Sequence, residues 1–416
     1  MADYYDLGAY SRRITTNAEE AQRWFDRGLN WCYGYNHDES VVCFRRALEA
    51  DPNCAMAWWG IAYASGCNYN KPWEAFDEDD AKRSVATAYE ATAEAKRLLT
   101  SVTPVEQALI GALSARYPST APVEDMSAWN DDFAASMRKV HAAFSEDADV
   151  CSLFAEALMN RTPWALWDLT SGEIAEGADT KEAIEVLEAA LASDGGDHHP
   201  GLLHMYIHLM EMSPHPERAL RAGDRLRGLV PDAGHLEHMP THIDVLCGHY
   251  GTVVNSNTAA IIADRKFLER EGALHFYSLY RCHNYHFKIY GAMFLGQREP
   301  ALEAADEMIA TLPEELLKVS SPPMADWVEG FVPMKMHVLI RFGMWQEIID
   351  ASLPENQELF CTTTAMYHYA KGVACAATGD IANAERERVL FEAAFKRVPD
   401  TRYVFNNSCI DILSVA

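Results

Sequence analysis

The 416-residue sequence has few basic residues: 35 Lys and Arg stand against 61 Asp and Glu, which gives a formal net charge of −26. Nucleic acids and anionic membranes attract proteins through a basic surface, so this charge balance excludes both as the main partner. The sequence has no run of about twenty apolar residues, so no transmembrane helix is expected. The N-terminus has no basic stretch followed by an apolar one, so we also expect no signal peptide.

Cysteine pairs are missing as well: the ten cysteines are scattered, and none forms a CxxC motif. Cysteines placed in this way are typical of reduced, mostly buried thiols, which predicts a cytoplasmic protein. Glycine and proline are scarce, with 23 and 18 residues, and good helix formers dominate. The chain is too long for one simple core, so several domains or a repeat architecture are expected.

Pairs of amphipathic helical segments recur along the chain. The first pair begins at Ala18 and stops near Pro52, with a break at 36–39 between its halves. This unit has about the 34-residue length of a tetratricopeptide hairpin. The segment Thr103–Glu106 has the pattern of a helix start, with proline in the first turn and glutamate in a capping place. Later repeats are predicted to begin near Pro200, Gly234, Cys282, Glu329 and Ala365.

These repeats predict an all-α fold, a tetratricopeptide-like α-solenoid of helix-turn-helix hairpins curved round a central groove. Residues 1–195 are assigned to N-terminal helical repeats, 196–320 to histidine-rich central repeats and 321–416 to C-terminal helical repeats, in one continuous solenoid. Residues 1–16 are expected to form an irregular lead-in. Residues 400–416 are expected to form a capping helix or a strand-like end.

Histidine is concentrated in one stretch, because twelve of the sixteen histidines lie within 198–286. His204 and His208 are four residues apart, as are His238 and His242, and 34 residues separate the two pairs. Four residues make about one helical turn, so each pair places two imidazoles on one helix face. One repeat is also 34 residues long, and equivalent helices of successive repeats stack as neighbours. The two pairs are therefore predicted to face one groove.

Alignment of the repeats places four more histidines on this helix face: His235, His283, His286 and His337. Neutral imidazoles that converge on a groove are suitable ligands for a transition metal. The predicted metal ligands are His204, His208, His235, His238, His242, His283 and His286. The alternative is a polar groove that binds a peptide or an anionic ligand.

Eight sequence segments occur together in this chain: Asn36–Glu39, Ala55–Gly60, Asn68–Asn70, His199–Gly201, His204–His208, Ser213–Arg218, His238–Ile243 and His283–Phe287. Together they resemble an uncharacterised bacterial and fungal group of tetratricopeptide-repeat proteins with HxxxH motifs, over most of the chain. The resemblance implies the solenoid fold, and it implies that the shared histidine positions line the concave groove. It implies no particular activity.

Two residues beside the histidines, Glu211 and Tyr206, are the predicted catalytic groups. Glu211 follows His208 by three residues on the same helix face. It can serve as a carboxylate ligand, as a partner that orients an imidazole, or as a general base for a bound water. Tyr206 is a candidate proton donor or substrate contact.

Four residues of the N-terminal repeats, His37, Asn68, Asn70 and Trp59, are candidate substrate contacts if the superhelix brings them to the groove. His337 is a fifth candidate. A purely structural interpretation is also open. Two acidic residues follow His37, which is typical of a helix N-terminus, and Trp59 has the character of a core aromatic.

Ligation by nitrogen alone, among aromatic residues, favours copper as one or two ions, with iron, manganese or zinc as alternatives. The leading hypothesis is a metal-dependent oxidoreductase that acts on a small molecule, an aromatic one being a candidate. The alternatives are a metal-dependent hydrolase or lyase with Glu211 as base, and a non-enzymatic repeat scaffold that binds a peptide or protein. The expected partner is a small-molecule substrate, and homo-oligomer formation is left open.

Overall fold

Helices fill most of the chain in a computed structural model that describes residues 4–416. Contacts divide the chain into two units, one that ends at Gly248 and one that spans His249–Ala416. The all-α, tetratricopeptide-like fold class is confirmed, because successive helices pair as hairpins in both units. The three-part division drawn from the repeats stays a prediction. No helix formed by residues 4–416 combines the length and the apolar character needed to cross a bilayer.

The first unit contains twelve α-helices within its described residues. They are α1 Glu19–Tyr33, α2 His37–Ala50, α3 Ala55–Ala64, α4 Glu78–Arg97, α5 Pro104–Arg116, α6 Ser127–Ala143, α7 Ala148–Met159, α8 Thr180–Ala192, α9 Pro200–Met210, α10 Leu220–Leu226, α11 Gly234–His238 and α12 Pro240–Leu246. Helix α1 packs on α2, α3 on α4, α5 on α6 and α7 on α8. The predicted start of α5 is observed as a capping box between Thr103 and Glu106, with Pro104 in the first turn.

Close packing of the first hairpin on α3 depends on two glycines. A Cβ atom at Gly28 in α1 or at Gly60 in α3 would lie 2.6 Å from ring atoms of Phe44 in α2. Phe44 is fully buried. The Phe44 ring therefore fits between α1 and α3 only because residues 28 and 60 have no side chain.

The Gly60→Ala substitution is expected to lower the free energy of unfolding by about 1–3 kcal/mol, because the added methyl group must displace a buried ring. Chemical denaturation followed by far-UV circular dichroism measures the change. Gly111→Ala is the matched control, since Gly111 lies in α5 and a methyl group there would have no neighbour within 4 Å. That control should gain about 0.5–1 kcal/mol. Equal effects of the two substitutions would contradict the packing argument.

The irregular lead-in predicted for residues 1–16 is observed over residues 4–16, which contact other parts of the first unit, while residues 1–3 lie outside the described residues. Residues 4–16 form no helix. The backbone amide of Asp6 donates to Asp232 at 2.8 Å, and the Arg12 guanidinium donates to Asp149 at 2.6 Å. Both the Arg12 and the Asp149 side chains are less than a tenth exposed. The segment is thus held by a buried ion pair as well as by backbone contacts.

The second unit contains ten α-helices and the strand pair. They are α13 Tyr250–Glu271, α14 Ser278–Phe294, α15 Arg298–Ala310, α16 Glu314–Leu317, α17 Met324–Val328, α18 Met334–Arg341, α19 Trp345–Asp350, α20 Cys361–Ala377, α21 Ile381–Phe395, β1 Tyr403–Val404, β2 Asn407–Ser408 and α22 Cys409–Ser414. Helix α13 packs on α14, α14 on α15 and α20 on α21. The strands pair antiparallel, with Tyr403 opposite Ser408. The C-terminal end therefore combines the two forms predicted for it, a short hairpin and a helix.

Candidate metal centre

Helix α9 is the central element of the first unit and carries the first histidine pair. Its N-cap is His199, whose Nδ1 accepts the Leu202 amide proton at 3.1 Å, and Pro200 occupies the first turn. All eleven residues of α9 are buried. The helix contacts α1, α7, α8, α10 and α12. The two histidines within α9, His204 and His208, are therefore surrounded by protein on every side.

Three histidines of the predicted set, His204, His208 and His235, converge in the first unit. One ring nitrogen from each lies within 4.8 Å of the others. The ring centroids of His204 and His208 are 4.7 Å apart, and those of His204 and His235 are 5.0 Å apart. Nitrogens bound to one tetrahedral ion at about 2.0–2.1 Å would be separated by roughly 3.3 Å. The limit of 4.8 Å is compatible with a shared ion if the nitrogens move closer by up to about 1.5 Å.

The tautomers of His204 and His208 follow from their hydrogen bonds. His204 Nδ1 donates to the Tyr33 carbonyl oxygen at 2.6 Å, and His208 Nδ1 donates to Glu211 Oε1 at 2.6 Å. Burial lowers the pKa of both rings. A neutral ring that is protonated at Nδ1 carries a lone pair at Nε2. Both Nε2 atoms are buried without a hydrogen-bond partner, as a metal ligand requires.

Glu211 connects the two predicted histidine pairs. Its Oε1 accepts from His208 Nδ1, and its Oε2 pairs with His242 Nδ1. Burial alone would raise the pKa of this carboxyl, but the His242 and His208 rings hold the pKa well below its usual range. Both oxygens of the ionised group are thus engaged by imidazoles. This geometry is the one expected for the orienting role among the alternatives for Glu211, and its role as a general base stays a prediction.

The second pair, His238 and His242, spans a helix break that the sequence analysis did not predict. Helix α11 ends at His238 and α12 begins at Pro240, because proline has no amide proton to donate to the preceding turn. Met239 keeps helical backbone angles, so the two rings stay one turn apart. Their Nε2 atoms are 2.9 Å apart.

Three aromatic residues that were not predicted as site residues enclose the first cluster. Tyr35 lies 4.6 Å from the His204 ring, and Tyr69 and Trp164 lie 5.1 and 5.8 Å from the His208 ring, measured between centroids. Tyr35 and Trp164 have positive φ angles of 55° and 60°. Bulky residues rarely adopt positive φ angles, and the strained backbone persists only where the surrounding structure imposes it. No pattern of residue types in the sequence predicts positive φ angles at these two positions.

Two of the predicted N-terminal contacts, His37 and Asn68, approach this aromatic shell. The Asn68 amide nitrogen is 3.4 Å from His37 Nδ1, and the His37 and Tyr35 ring centroids are 5.8 Å apart. Burial, followed by Arg116 and Lys71, lowers the pKa of His37 to about 3. Both polar atoms of the Asn70 side chain are buried without a partner.

Two other predicted residues lie apart from the histidine cluster. Trp59 stacks on Tyr63 with 5.1 Å between ring centroids, as a core aromatic does. The Tyr206 hydroxyl donates to Glu188 at 2.6 Å. It lines a cavity of about 550 Å³ together with Arg218. Tyr206 is two residues from His204 and from His208, so it leaves α9 on the opposite side. The catalytic role predicted for it stays a prediction.

The remaining predicted residues, His283, His286 and His337, belong to the second unit. The His283 and His286 ring centroids are 6.4 Å apart. Burial, followed by the nearby His337, lowers the pKa of His286 to about 4. Phe405, with a φ of 52°, stacks on His283 at 4.1 Å. Assignment of His283 and His286 to the metal site of the first unit stays a prediction.

Comparison with known proteins identifies no family for the chain. No family model and no curated protein matches the chain. One similar solved structure is the APC/C hetero-tetramer Cut9–Hcn1, at 14% identity and a TM-score of 0.28, with 96% of this chain and 77% of that chain covered. Another is the P58(IPK) TPR domain, at 12% identity and a TM-score of 0.21, with 91% and 98% covered. Likeness at this level transfers no residue role, ligand or partner to the chain.

Proposed function

We propose that this protein is a helical-repeat scaffold that holds a transition-metal ion at His204, His208 and His235. The observation that carries the proposal is the pair of buried, unpartnered Nε2 atoms on His204 and His208, beside a third imidazole. A buried polar atom without a partner costs about 1–3 kcal/mol. A bound cation would remove that cost for both rings at once.

Copper is the ion that an all-imidazole set favours, because affinities of divalent metals for nitrogen ligands culminate at copper. Iron, manganese and zinc remain alternatives. The Glu211 carboxylate would fix the orientation of His208 and increase its basicity, as carboxylates that accept from metal-bound histidines commonly do.

A structural role for the ion is better supported than a catalytic one. The three imidazoles are at most 1% exposed, so bulk solvent does not reach the cluster. Three protein ligands would still leave the fourth position of a tetrahedral ion open, as in catalytic sites. The two residues predicted as catalytic, Glu211 and Tyr206, are engaged by other side chains. These contacts weigh against the oxidoreductase and against the hydrolase or lyase that the sequence analysis put forward.

A protein partner is the second part of the proposal. Stacked helical hairpins expose extended surfaces that suit binding of another chain, and no contact of the histidine cluster supports a small-molecule substrate. Membership of the uncharacterised bacterial and fungal repeat group rests on the shared segments alone and is proposed on that basis.

Metal analysis of protein made without an affinity tag tests the proposed site. After loading with Cu²⁺ and removal of free ion, the protein should retain copper. In a separate measurement with free Cu²⁺ at 100 times its Kd, the protein should unfold at a higher temperature, since that concentration adds about 2.7 kcal/mol. His204→Ala should retain less copper and lose most of this shift. His215→Ala is the control, because its side chain is 65% exposed, and it should behave as the unmodified protein. If His204→Ala retains as much copper as the control, the assignment fails.

A further inference from the structure

We propose that the cavity lined by Tyr206, Arg221 and Arg225 binds a small organic carboxylate, that is, a carboxylate group attached to an apolar body. The cavity has a volume of about 550 Å³, and ligand cavities in proteins usually span about 300–1,000 Å³. It lies on the side of α9 opposite His204 and His208, because Tyr206 leaves the helix on that side. The inference therefore goes beyond the proposed function and does not depend on it.

Three arginines line this cavity: Arg218, Arg221 and Arg225. They are three and four residues apart, in and just before α10, so their side chains lie on one helical face. The whole chain carries a formal net charge of −26. Most of the protein surface therefore repels an anion, and guanidinium groups concentrated in one cavity would attract it.

Three carboxylates line the cavity as well, so its formal charge is zero. Glu188 accepts from the Tyr206 hydroxyl at 2.6 Å and from the Arg218 guanidinium. Asp194 is exposed, so water and salt screen its charge. The charge of Arg218 is thus balanced by Glu188, and binding of an anion must depend on the other two arginines.

Arg221 and Arg225 share a single carboxylate, that of Asp197. Its Oδ2 is 3.2 Å from Arg225 and 3.6 Å from Arg221, and its Oδ1 is 2.7 Å from His198 Nδ1. A separation of 3.6 Å is too long for a hydrogen bond. Each guanidinium has five N–H donors, so most donors of this pair are available to a ligand, and one positive charge is in excess. A carboxylate supplies one negative charge and can accept two parallel N–H bonds from a guanidinium.

Apolar side chains form another part of the lining, namely Leu191, Leu203 and Ala222. Leu203 and Ala222 are buried. An apolar body would remove the remaining apolar surface from water, whereas a hydrated inorganic ion would not. Together the guanidinium pair and the apolar side chains fit a carboxylate on an apolar group.

Benzoate binding to the full chain, measured by ligand-observed NMR at low ionic strength, tests the site. We expect benzoate to bind, and the double substitution Arg221→Gln with Arg225→Gln to weaken binding by about tenfold or more, because charge-assisted hydrogen bonds are lost. Both side chains are largely exposed, at 80% and 46%, so this variant should fold. Arg298→Gln is the matched control, since Arg298 lies in the second unit and pairs with Glu299. Copper retention should be the same in all these proteins, which separates this test from that of the proposed function.

Two comparison ligands and one further variant make the test specific. Benzyl alcohol has the apolar ring without the charge, and inorganic phosphate has the charge without the ring, so both should bind more weakly than benzoate. Ala192→Trp places a large ring at the exposed lining residue Ala192 and keeps the three arginines, so it should weaken benzoate binding.

Several results would overturn the assignment. Absence of benzoate binding, or equal affinity in the double variant and in the control, would show that the guanidinium pair binds no carboxylate. Unchanged affinity in Ala192→Trp would place benzoate outside the cavity. Benzyl alcohol that binds as tightly as benzoate would leave only an apolar site, and phosphate that does so would leave only a general anion site.

Discussion

Glu211→Gln is expected to lower the affinity of the first unit for copper by about 10–100-fold. Glutamine has the shape of glutamate but offers only one accepting oxygen, whereas two imidazole N–H groups, from His208 and His242, face this side chain. One of these rings would then meet an N–H group instead of an oxygen. That ring would turn or change its tautomer, and its Nε2 lone pair would be lost to the metal.

The metal-free form of this variant should also be less stable, by about 1.5–3 kcal/mol for the loss of a hydrogen bond to a charged acceptor. Copper titration against a competing chelator measures the affinity, and chemical denaturation of the metal-free protein measures the stability. Glu217→Gln is the control, because Glu217 contacts the exposed His215 and should change neither quantity. An affinity equal to that of the control, in a correctly folded variant, would show that Glu211 does not orient the ligands.

Asp149→Asn is expected to lower the free energy of unfolding by about 3–5 kcal/mol, the range found when one partner of a buried ion pair is removed. Asp149 is buried and accepts hydrogen bonds from Arg12, Tyr10, Tyr33 and His199. The substitution would remove one of the two carboxylates that pair with the buried Arg12 guanidinium, the other being Asp147. Residues 4–16 should then be cleaved faster by trypsin, because Arg12 anchors this segment.

The pH dependence of this effect follows from the pKa of Asp149. Burial alone would raise that pKa, but the hydrogen bonds from His199, the Arg12 charge and Tyr33 lower it well below its usual range. A carboxyl whose pKa is depressed by folding stabilises the protein above its unfolded pKa, about 3.9, and loses this effect as the pH falls towards the folded pKa. The difference between the two proteins should be constant from neutral pH to about pH 4 and shrink below it.

Two comparisons make this prediction specific. Glu78→Gln removes an ion pair whose glutamate side chain is 82% exposed, and such pairs add little to stability, so it should leave the unfolding transition unchanged. In a double-mutant cycle with Arg12→Met, the two losses should be strongly non-additive. Additive losses would show that the Arg12–Asp149 pair does not hold the N-terminal segment.

Most of the fold that could be predicted from the sequence was predicted from the repeat period. Helix starts such as Thr103–Glu106 and the 34-residue offset between histidine pairs depend on local spacing, which the sequence displays directly. The break at Pro240 was missed because the HxxxH spacing looks the same on a continuous helix. The chain keeps the two rings together there only because Met239 retains helical angles.

Contacts between distant segments were beyond the reach of the sequence. Tyr206 was grouped with the histidines because it lies between them in the chain. In the helix, however, its side chain points away from theirs, and its hydroxyl donates to Glu188. The pairing of Arg12 with Asp149 joins residues 137 positions apart, and no periodic pattern encodes such a contact. The engagement of both Glu211 oxygens likewise depends on where α12 meets the end of α9.

The left-handed backbone at Tyr35 and Trp164 has a consequence for any attempt to improve this protein. Glycine would adopt those angles without strain, which is worth about 1–3 kcal/mol at each position. Removal of a large buried aromatic ring costs about 3–5 kcal/mol, and Tyr35 is only 4% exposed. Directed evolution for heat resistance should therefore retain the Tyr35 ring in spite of its backbone angles, so thermal tolerance and enclosure of the imidazoles favour the same residue there.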